Sequence, residues 1–271
     1  MADFLFGLNT STIQPAGLLE KIRIAGQAGY DAIELWINDV EQHVEAGNPL
    51  DDVVHALDDQ QLLRPSMISL RDWCVADEAA WQAAVDTARR RLEMAARLGV
   101  VRIVAGPPRD AVPHELAVDR YGRLLEVSVD YGVPASLEFL GFVAGINRLE
   151  VAWRICAGTG NPQATITPDA WHMFRGASDF AALDAIPADH LSCFHWNDAP
   201  AEPPRVEQTD ADRVHPGDGV LDLKSLADQL RAKSWRGVLS LELFNRGYWE
   251  QNPLQVAEVG LEKMRRSVGV G

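Results

Sequence analysis

The sequence predicts a single (β/α)8 TIM barrel of the α/β class, and three observations predict it. Short apolar runs rich in β-type residues alternate with longer segments whose apolar residues recur every three or four positions, which is typical of βα units and a parallel sheet. Eight such alternations fit within 271 residues, a usual length for this barrel. No linker, low-complexity tract or glycine-rich nucleotide-binding pattern interrupts them, so residues 1–271 are interpreted as one domain.

The eight predicted strands are short and mostly apolar. The fourth is a nearly continuous apolar run, which is typical of a buried strand. The sixth contains Pro168 just before its end, where proline is tolerated because the hydrogen bonds between strands end there. In chain order we expect them at Asp3–Asn9, Tyr30–Trp36, Arg64–Leu70, Val100–Ala105, Val133–Phe139, Ala164–Asp169, His190–Trp196 and Gly237–Leu243.

Apolar stripes between the strands predict the helices. The longest follows the third strand, and its stripe ends at Gly99, a residue typical of helix C-termini. That stripe consists of Trp81, Val85, Ala88, Leu92 and Ala95. Other helices are expected after Pro15, over 50–57, over 116–131 and, at the end, over 254–264.

The charge balance argues against anionic partners. With 25 Lys and Arg against 39 Asp and Glu, the net charge is −14, so we expect no binding to nucleic acid or to an anionic membrane surface. No apolar run approaches the roughly 20 residues that span a bilayer, and the N-terminus lacks the features of a signal peptide. Three scattered cysteines predict reduced thiols, and hence a cytoplasmic protein.

Metal-binding side chain types stand at the ends of four successive predicted strands: Glu138, Asp169, His195 and Glu242. In such a barrel the reactive groups lie at the C-terminal ends of the strands. Three carboxylates and one imidazole suit one divalent ion, Mn²⁺, Mg²⁺, Co²⁺ or Zn²⁺, better than a thiolate-rich structural zinc. Each residue alone also fits an ordinary ion-paired role, but four unpaired groups buried at one rim would be costly, which favours the metal site.

Further polar and aromatic residues are predicted around the same rim. His172 follows the sixth strand, and Arg213 lies on the long loop after the seventh, where a guanidinium can hold a substrate oxygen. Glu34, Trp36 and Trp73 are candidates to line the mouth of the barrel. The alternatives are an ion pair between Arg213 and a neighbouring aspartate, and core packing for the tryptophans.

Five motifs in strands five to eight carry a resemblance to a known superfamily. They are Ser136–Gly141, Asp169–His172, His195–Asp198, Asp212–Gly219 and Leu239–Phe244. In order and spacing they resemble the xylose isomerase-like barrels, which include sugar isomerases, epimerases and AP endonucleases, and most closely the inosose isomerase (2-keto-myo-inositol isomerase) branch.

The resemblance implies that the four strand-end residues bind one divalent ion and that the two glutamates among them also act as acid and base. It implies further that His172 and Arg213 contact substrate oxygens. Two departures from the pattern leave the substrate open: the sixth strand reads Thr165–Pro168 where the family is aliphatic, and Asn197 stands where lysine is frequent.

The chemistry expected of such a site is proton transfer next to the carbonyl of a ketose sugar or keto-cyclitol, giving isomerisation or epimerisation through an enediolate. The nearest alternative is a dehydratase, in which the same enediolate of an inosose or a 3-dehydroshikimate-type ring expels a β-hydroxyl. A phosphodiesterase acting on abasic DNA would need more histidines and a basic groove. A catalytically silent sugar-binding barrel stays open, as does assembly into a homodimer or with a partner subunit.

Overall fold

Eight parallel strands form the barrel wall in the computed structural model, which describes residues 4–269. They are β1 Leu5–Asn9, β2 Ala32–Trp36, β3 Met67–Leu70, β4 Ile103–Ala105, β5 Ala135–Glu138, β6 Thr165–Thr167, β7 Phe194–His195 and β8 Val238–Leu241. Hydrogen-bonded neighbours run β6-β5-β4-β3-β2-β1-β8-β7, and the bridges Ile166–Leu191 and Asp169–His195 connect the two end strands. The predicted (β/α)8 barrel is therefore confirmed.

Helices surround the sheet. Within the described residues they are α1 Leu18–Ala28, α2 Ile37–Glu45, α3 Leu50–Asp59, α4 Glu78–Arg97, α5 His114–Val129, α6 Leu149–Gly158, α7 Ala170–Arg175, α8 Leu223–Ala232, α9 Arg246–Trp249 and α10 Pro253–Ser267. The predicted stripe of α4 is buried against the barrel. The Asp77 side chain begins that helix by accepting a hydrogen bond from the Ala80 N–H at 2.8 Å.

Some element boundaries differ from the expectation. The expected first strand includes Asp3, which lies outside the described residues, and the expected seventh strand, His190–Trp196, contains only two residues of regular strand. Its beginning is instead a 3-10 turn that ends at His190. The short helices α2, α7 and α9 lie outside the eight expected alternations. Helix α2 is nine residues long and buries only Ile37 and Val40, so it contributes a short apolar face.

One buried carboxylate shapes the loop that follows β7. Asp198 accepts hydrogen bonds from the backbone N–H groups of Ala199, Gly217, Gly219 and Leu221 at 2.8 to 3.2 Å. A Cβ on Gly219 would come within 2.3 Å of the Asp198 Oδ1 atom, so only glycine fits there. The Pro-Gly-Asp-Gly sequence is thus folded around Asp198, which brings the end of this loop back to its start beside the barrel.

All three cysteines, Cys74, Cys156 and Cys193, are buried free thiols, as the sequence predicts. Burial raises the pKa of the Cys74 thiol to about 11, which leaves it protonated at neutral pH. Between residues 4 and 269, no helix combines the length and the apolar character needed to cross a bilayer.

His215 lies on the same loop and is buried against Tyr248, with ring centroids 4.2 Å apart. Burial and the nearby Lys263 lower the pKa of His215 from 6.5 to about 4. Between these two values the unfolded chain binds more protons than the folded one, so the free energy of unfolding decreases as the pH falls through this window.

Phenylalanine at position 215 keeps the ring stack and removes this titration. We expect H215F to lose roughly 2 kcal/mol less stability than the wild type between pH 7 and pH 5. Urea unfolding at the two pH values measures the difference, and H55Q, which removes an exposed histidine of α3, is the control. An unchanged pH dependence in H215F would contradict the assignment.

Candidate metal centre

The four predicted ligands meet at the C-terminal end of the barrel. Their ligand atoms all lie within 4.8 Å of one another, and all four side chains are buried. His195 Nδ1 is 3.1 Å from Glu138 Oε1, 3.1 Å from Glu242 Oε2 and 3.5 Å from Asp169 Oδ2. The parallel strands therefore bring together residues that are up to 104 positions apart in the sequence.

This donor set fits a divalent metal ion. Donors that bind one ion at about 2.1 Å lie roughly 3 to 4 Å apart, close to the separations seen here. His195 Nδ1 is buried and makes no hydrogen bond, although three carboxylates surround it. An imidazole nitrogen aimed into a carboxylate cluster without a hydrogen bond is a typical ligand geometry, and the mixed N and O donors suit Zn²⁺ or Mn²⁺.

Burial and mutual repulsion define the electrostatics of the cluster. Burial, together with the neighbouring Glu242 and Asp169 carboxylates, raises the pKa of Glu138 to about 7, against the opposing attraction of His195. Burial disfavours the ionised form of Asp169 as well, but Arg213, His172 and His195 together outweigh it, so the pKa of Asp169 is lowered. The site thus holds closely spaced acidic groups whose charges a cation would neutralise.

Asp169 also begins a helix. Its Oδ1 accepts the His172 N–H at 2.7 Å and caps α7, whereas its Oδ2 faces the cluster. This double role accounts for the spacing of Asp169 and His172 in the sequence, because an N-cap side chain reaches the N–H three residues on.

Glu34 is placed behind His195 rather than at the mouth of the barrel. It is fully buried, its Oε2 lies 3.3 Å from His195 Nε2, and Ser66 Oγ donates a hydrogen bond to its Oε1. Burial opposes ionisation of Glu34, but His195 and these hydrogen bonds lower its pKa to about 2. A carboxylate on the far nitrogen fixes which nitrogen of the imidazole faces the metal and makes it a better ligand. The expectation that Glu34 lines the mouth is therefore wrong, and its place behind His195 suits a residue that orients the imidazole.

We expect Glu34→Gln to weaken Zn²⁺ or Mn²⁺ binding about 10- to 100-fold, because a neutral amide holds the His195 Nε2–H less strongly. Calorimetric titration of metal-depleted protein measures the dissociation constant. Glu93→Gln, the same change on the exposed face of α4, is the matched control. Equal affinities for the two variants would rule out this role.

Two asparagines hold the ligand carboxylates. Asn9 Nδ2 donates to Glu242 Oε1 at 3.2 Å, and Asn197 Nδ2 donates to Asp169 Oδ2 at 3.2 Å. Both asparagines are fully buried. The sequence predicts Asn9 only as the last residue of a strand. Its position at a strand end, like that of the four ligands, is the signal that could have indicated its role.

Arg213 reaches into the cluster from the loop after β7. Its Nη1 donates to Asp169 Oδ2 and to Glu242 Oε2, both at 2.8 Å, and its Nη2 donates to Asp210 Oδ1 at 2.7 Å. The expected alternative, an ion pair with a neighbouring aspartate, is thus present together with contacts to the site. Its Nη2 also lies 2.9 Å from His172 Nε2, whereas Arg213 Nε is buried without a hydrogen-bond partner.

A cavity of about 230 Å³ opens directly onto this cluster. Of the predicted residues, Glu138, Glu242, His172, Arg213 and Trp36 line it. Residues that sequence reasoning did not single out complete the lining: Ile68, Arg71, Pro107, Arg109, Leu140, Phe142, Val143, Asp210 and Phe244.

Trp73 is not among the lining residues. Its indole is buried, with Nε1 donating to the Gly106 carbonyl at 2.7 Å and the ring packed against Tyr121. This corrects the expectation that Trp73 lines the mouth, since an indole satisfied by backbone and buried in the core cannot stack on a ligand. Trp36, by contrast, is half-buried and is oriented by a hydrogen bond from its Nε1 to Asn9 Oδ1 at 2.9 Å.

Residues 22–267 match the family described as the xylose isomerase-like TIM barrel. The chain belongs to this family. Among characterised relatives, it is 24% identical over 247 residues to an inosose isomerase of Halalkalibacterium halodurans, covering 89% of this chain and 87% of that protein. It is 27% identical over 259 residues to a 3-dehydroshikimate dehydratase of Pseudomonas putida. That match covers 94% of this chain but 40% of the dehydratase, so this barrel spans less than half of that protein.

Two solved structures share the fold. The crystal structure of an IOLI protein with a bound zinc atom superposes with a TM-score of 0.91 at 22% identity, over 98% of both chains. A D-psicose 3-epimerase crystallised with D-fructose superposes with a TM-score of 0.78 at 16% identity, over 98% of this chain and 100% of the epimerase. The resemblance found in the motifs of strands five to eight is confirmed.

Proposed function

We propose that this protein is a divalent-metal-dependent isomerase or epimerase of a ketose sugar or keto-cyclitol. The observation that carries the proposal is the meeting of Glu138 and Glu242 beside the buried His195 Nδ1, at the inner end of one cavity. Two carboxylates facing the same bound molecule can serve as base and acid on neighbouring carbons. The similarity to inosose isomerases over most of both chains supports the same class of reaction.

Glu138, Asp169, His195 and Glu242 would hold the metal ion, and Glu34 would keep His195 oriented. When bound there, a divalent ion would polarise the carbonyl of an α-hydroxyketone and stabilise the negative charge that develops as the α-proton leaves. Mn²⁺, Mg²⁺, Co²⁺ and Zn²⁺ all suit these donors.

The protein groups then move the proton and hold the substrate. One glutamate takes the proton from the carbon next to the carbonyl. In isomerisation the other returns a proton at the former carbonyl carbon, while the hydroxyl proton passes to the former carbonyl oxygen; in epimerisation it returns a proton to the same carbon on the opposite face. Arg213 Nε is a buried donor without a partner in residues 4–269, so it can donate to a substrate oxygen. His172 lines the same cavity, its ring held by the Gly141 N–H, and Trp36 offers an aromatic face.

Hydrogen exchange with solvent tests this proposal. Metal-loaded protein is incubated in D₂O with inososes, ketohexoses and 3-dehydroshikimate, and NMR follows the carbon next to the carbonyl. An isomerase or epimerase incorporates deuterium there and forms a product of unchanged composition. A metal-loaded protein that exchanges no hydrogen in any of them would contradict the proposal and favour a silent sugar-binding barrel. Metal-depleted protein is the control.

Dehydration is the second candidate function. It is favoured by the match to the 3-dehydroshikimate dehydratase, which covers nearly the whole of this chain. The first step is the same proton abstraction, and the products differ because water is lost from the carbon beyond the abstracted proton. The same NMR experiment separates the two, since only a dehydratase converts 3-dehydroshikimate into an aromatic product.

The remaining expectations from sequence stay predictions. They are a cytoplasmic location, a small-molecule sugar or cyclitol as the ligand, and assembly as a homodimer or with a partner subunit. Size-exclusion chromatography with light scattering tests the assembly.

A further inference from the structure

Two arginines stand at the entrance of the cavity. Arg71 follows β3 and Arg109 lies beyond β4, and both line the cavity that contains Glu138 and Glu242. Both residues are exposed. Neither guanidinium makes an ion pair or a hydrogen bond with any residue between 4 and 269.

The loops that carry these arginines are tied to each other and to the loop after β5. The Gly106 N–H donates to the Leu70 carbonyl at 3.0 Å, which joins the loops after β3 and β4. The Ala144 N–H donates to the Arg109 carbonyl at 3.0 Å. The backbone positions of Arg71 and Arg109 are therefore fixed at one side of the cavity, while their guanidinium groups stay available.

These positive charges lie beside the cavity although the chain as a whole has a net charge of −14. Besides the two glutamates at the inner end, Asp210 is the acidic residue among those that line the cavity, and it is already paired with Arg213. Among the described residues that line the cavity, the entrance thus has two guanidinium groups and no carboxylate outside an ion pair. A guanidinium binds carboxylate and phosphate groups through paired hydrogen bonds, and an arginine-lined cleft attracts anionic ligands.

We propose that the substrate carries an anionic group, a carboxylate or a phosphate, which Arg71 and Arg109 bind while the reacting ketone lies at the glutamates. The inference rests on the proposed function for the position of the ketone, and it narrows the substrate class to an acidic α-hydroxyketone. Neutral inososes and free ketohexoses are then poorer substrates than carboxylated or phosphorylated ones.

Matched pairs of substrates test the preference. The rate of deuterium incorporation is measured for 3-dehydroshikimate and its methyl ester, and for fructose 6-phosphate and fructose. A preference for the charged member of the first pair would indicate a carboxylate site, and a preference for the charged member of the second would indicate a phosphate site. We expect the charged member of one pair to react with a higher kcat/KM than its neutral partner. Equal values within both pairs would overturn the proposal.

Variants at the entrance assign the effect to these residues. R71Q and R109Q should each raise KM for the preferred charged substrate about 10-fold, with kcat nearly unchanged and the neutral partner unaffected. R71K, which keeps the charge, should recover part of the loss. R23Q removes an exposed arginine from α1 and is the matched control for net charge. Equal effects of R71Q and R23Q, or equal effects on both members of a pair, would overturn the proposal.

A binding measurement separates this inference from the proposed function, because it needs no turnover. Shikimate has the ring carboxylate without the ketone, and methyl shikimate lacks the charge. We expect calorimetry to show that R71Q and R109Q weaken shikimate binding about 10-fold and leave methyl shikimate binding unchanged. Inorganic phosphate competing with shikimate, more strongly in the wild type than in the variants, would indicate the phosphate alternative.

The deuterium-exchange and binding experiments together distinguish failure of the anion site from failure of the proposed function. Arginine-dependent binding of shikimate or phosphate without deuterium exchange would leave the anion site standing and overturn the proposed function. Deuterium exchange that depends on neither arginine would overturn the anion site and leave the proposed function standing. The absence of both exchange and anion binding would overturn both.

Discussion

Replacing Glu138 or Glu242 with glutamine should lower the rate of α-hydrogen exchange by about 10²- to 10⁴-fold, the usual contribution of a positioned acid or base. Both side chains are buried at the inner end of the cavity, next to His195 Nδ1. Glutamine keeps the shape and an oxygen that can face the metal, but it takes up no proton. The NMR exchange assay with the preferred ketone measures the loss.

A lower exchange rate indicates loss of the acid or base only if the variant still binds metal. Metal content is measured for each variant by mass spectrometry, and exchange is compared at equal metal occupancy. Glu93→Gln, an exposed change on α4, should leave the rate unchanged. An E138Q or E242Q protein that binds metal and keeps near wild-type exchange would show that this glutamate is not the acid or base.

Adding Zn²⁺ or Mn²⁺ to metal-depleted protein is the second change for which we expect a large effect. The cluster places three carboxylates and one imidazole, all buried, within 4.8 Å. An ion bound only by the folded state stabilises it by about 2.7 kcal/mol at 100 times its dissociation constant. For a domain of this size, that corresponds to an increase in Tm of roughly 5 to 10 °C. Differential scanning calorimetry with and without metal measures the shift.

His195→Gln should abolish most of this increase, because it removes the nitrogen ligand. His55→Gln, at an exposed position of α3, is the matched control and should respond to metal like the wild type. Circular dichroism shows whether H195Q is folded, and D169N supplies a second ligand variant. If metal raised the Tm of H195Q and D169N as much as that of the wild type, the ion would bind elsewhere.

The meeting of the four predicted ligands at one end of the barrel could be predicted from the sequence because the relevant information is local. Each of the four ligands follows an apolar run, and the carboxyl ends of parallel strands meet at one end of a barrel. The same reasoning recognised His172 and Trp36, which line the cavity. The sequence could not predict how side chains are oriented in the barrel interior, because their orientation depends on the register and twist of strands that are distant in the sequence.

The sequence by itself determined the eight-stranded barrel and the four side chains that meet at its C-terminal end, because apolar period and strand-end position are properties of neighbouring residues. Only the tertiary structure decided the positions of Glu34, Trp73 and the entrance arginines. Glu34 lies behind His195 because β2 turns it into the barrel interior, and Trp73 is buried because its indole finds the Gly106 carbonyl. Arg71 and Arg109 come together because the loops after β3 and β4 are joined by a hydrogen bond. Such contacts depend on where separate elements meet in space, which no local pattern records.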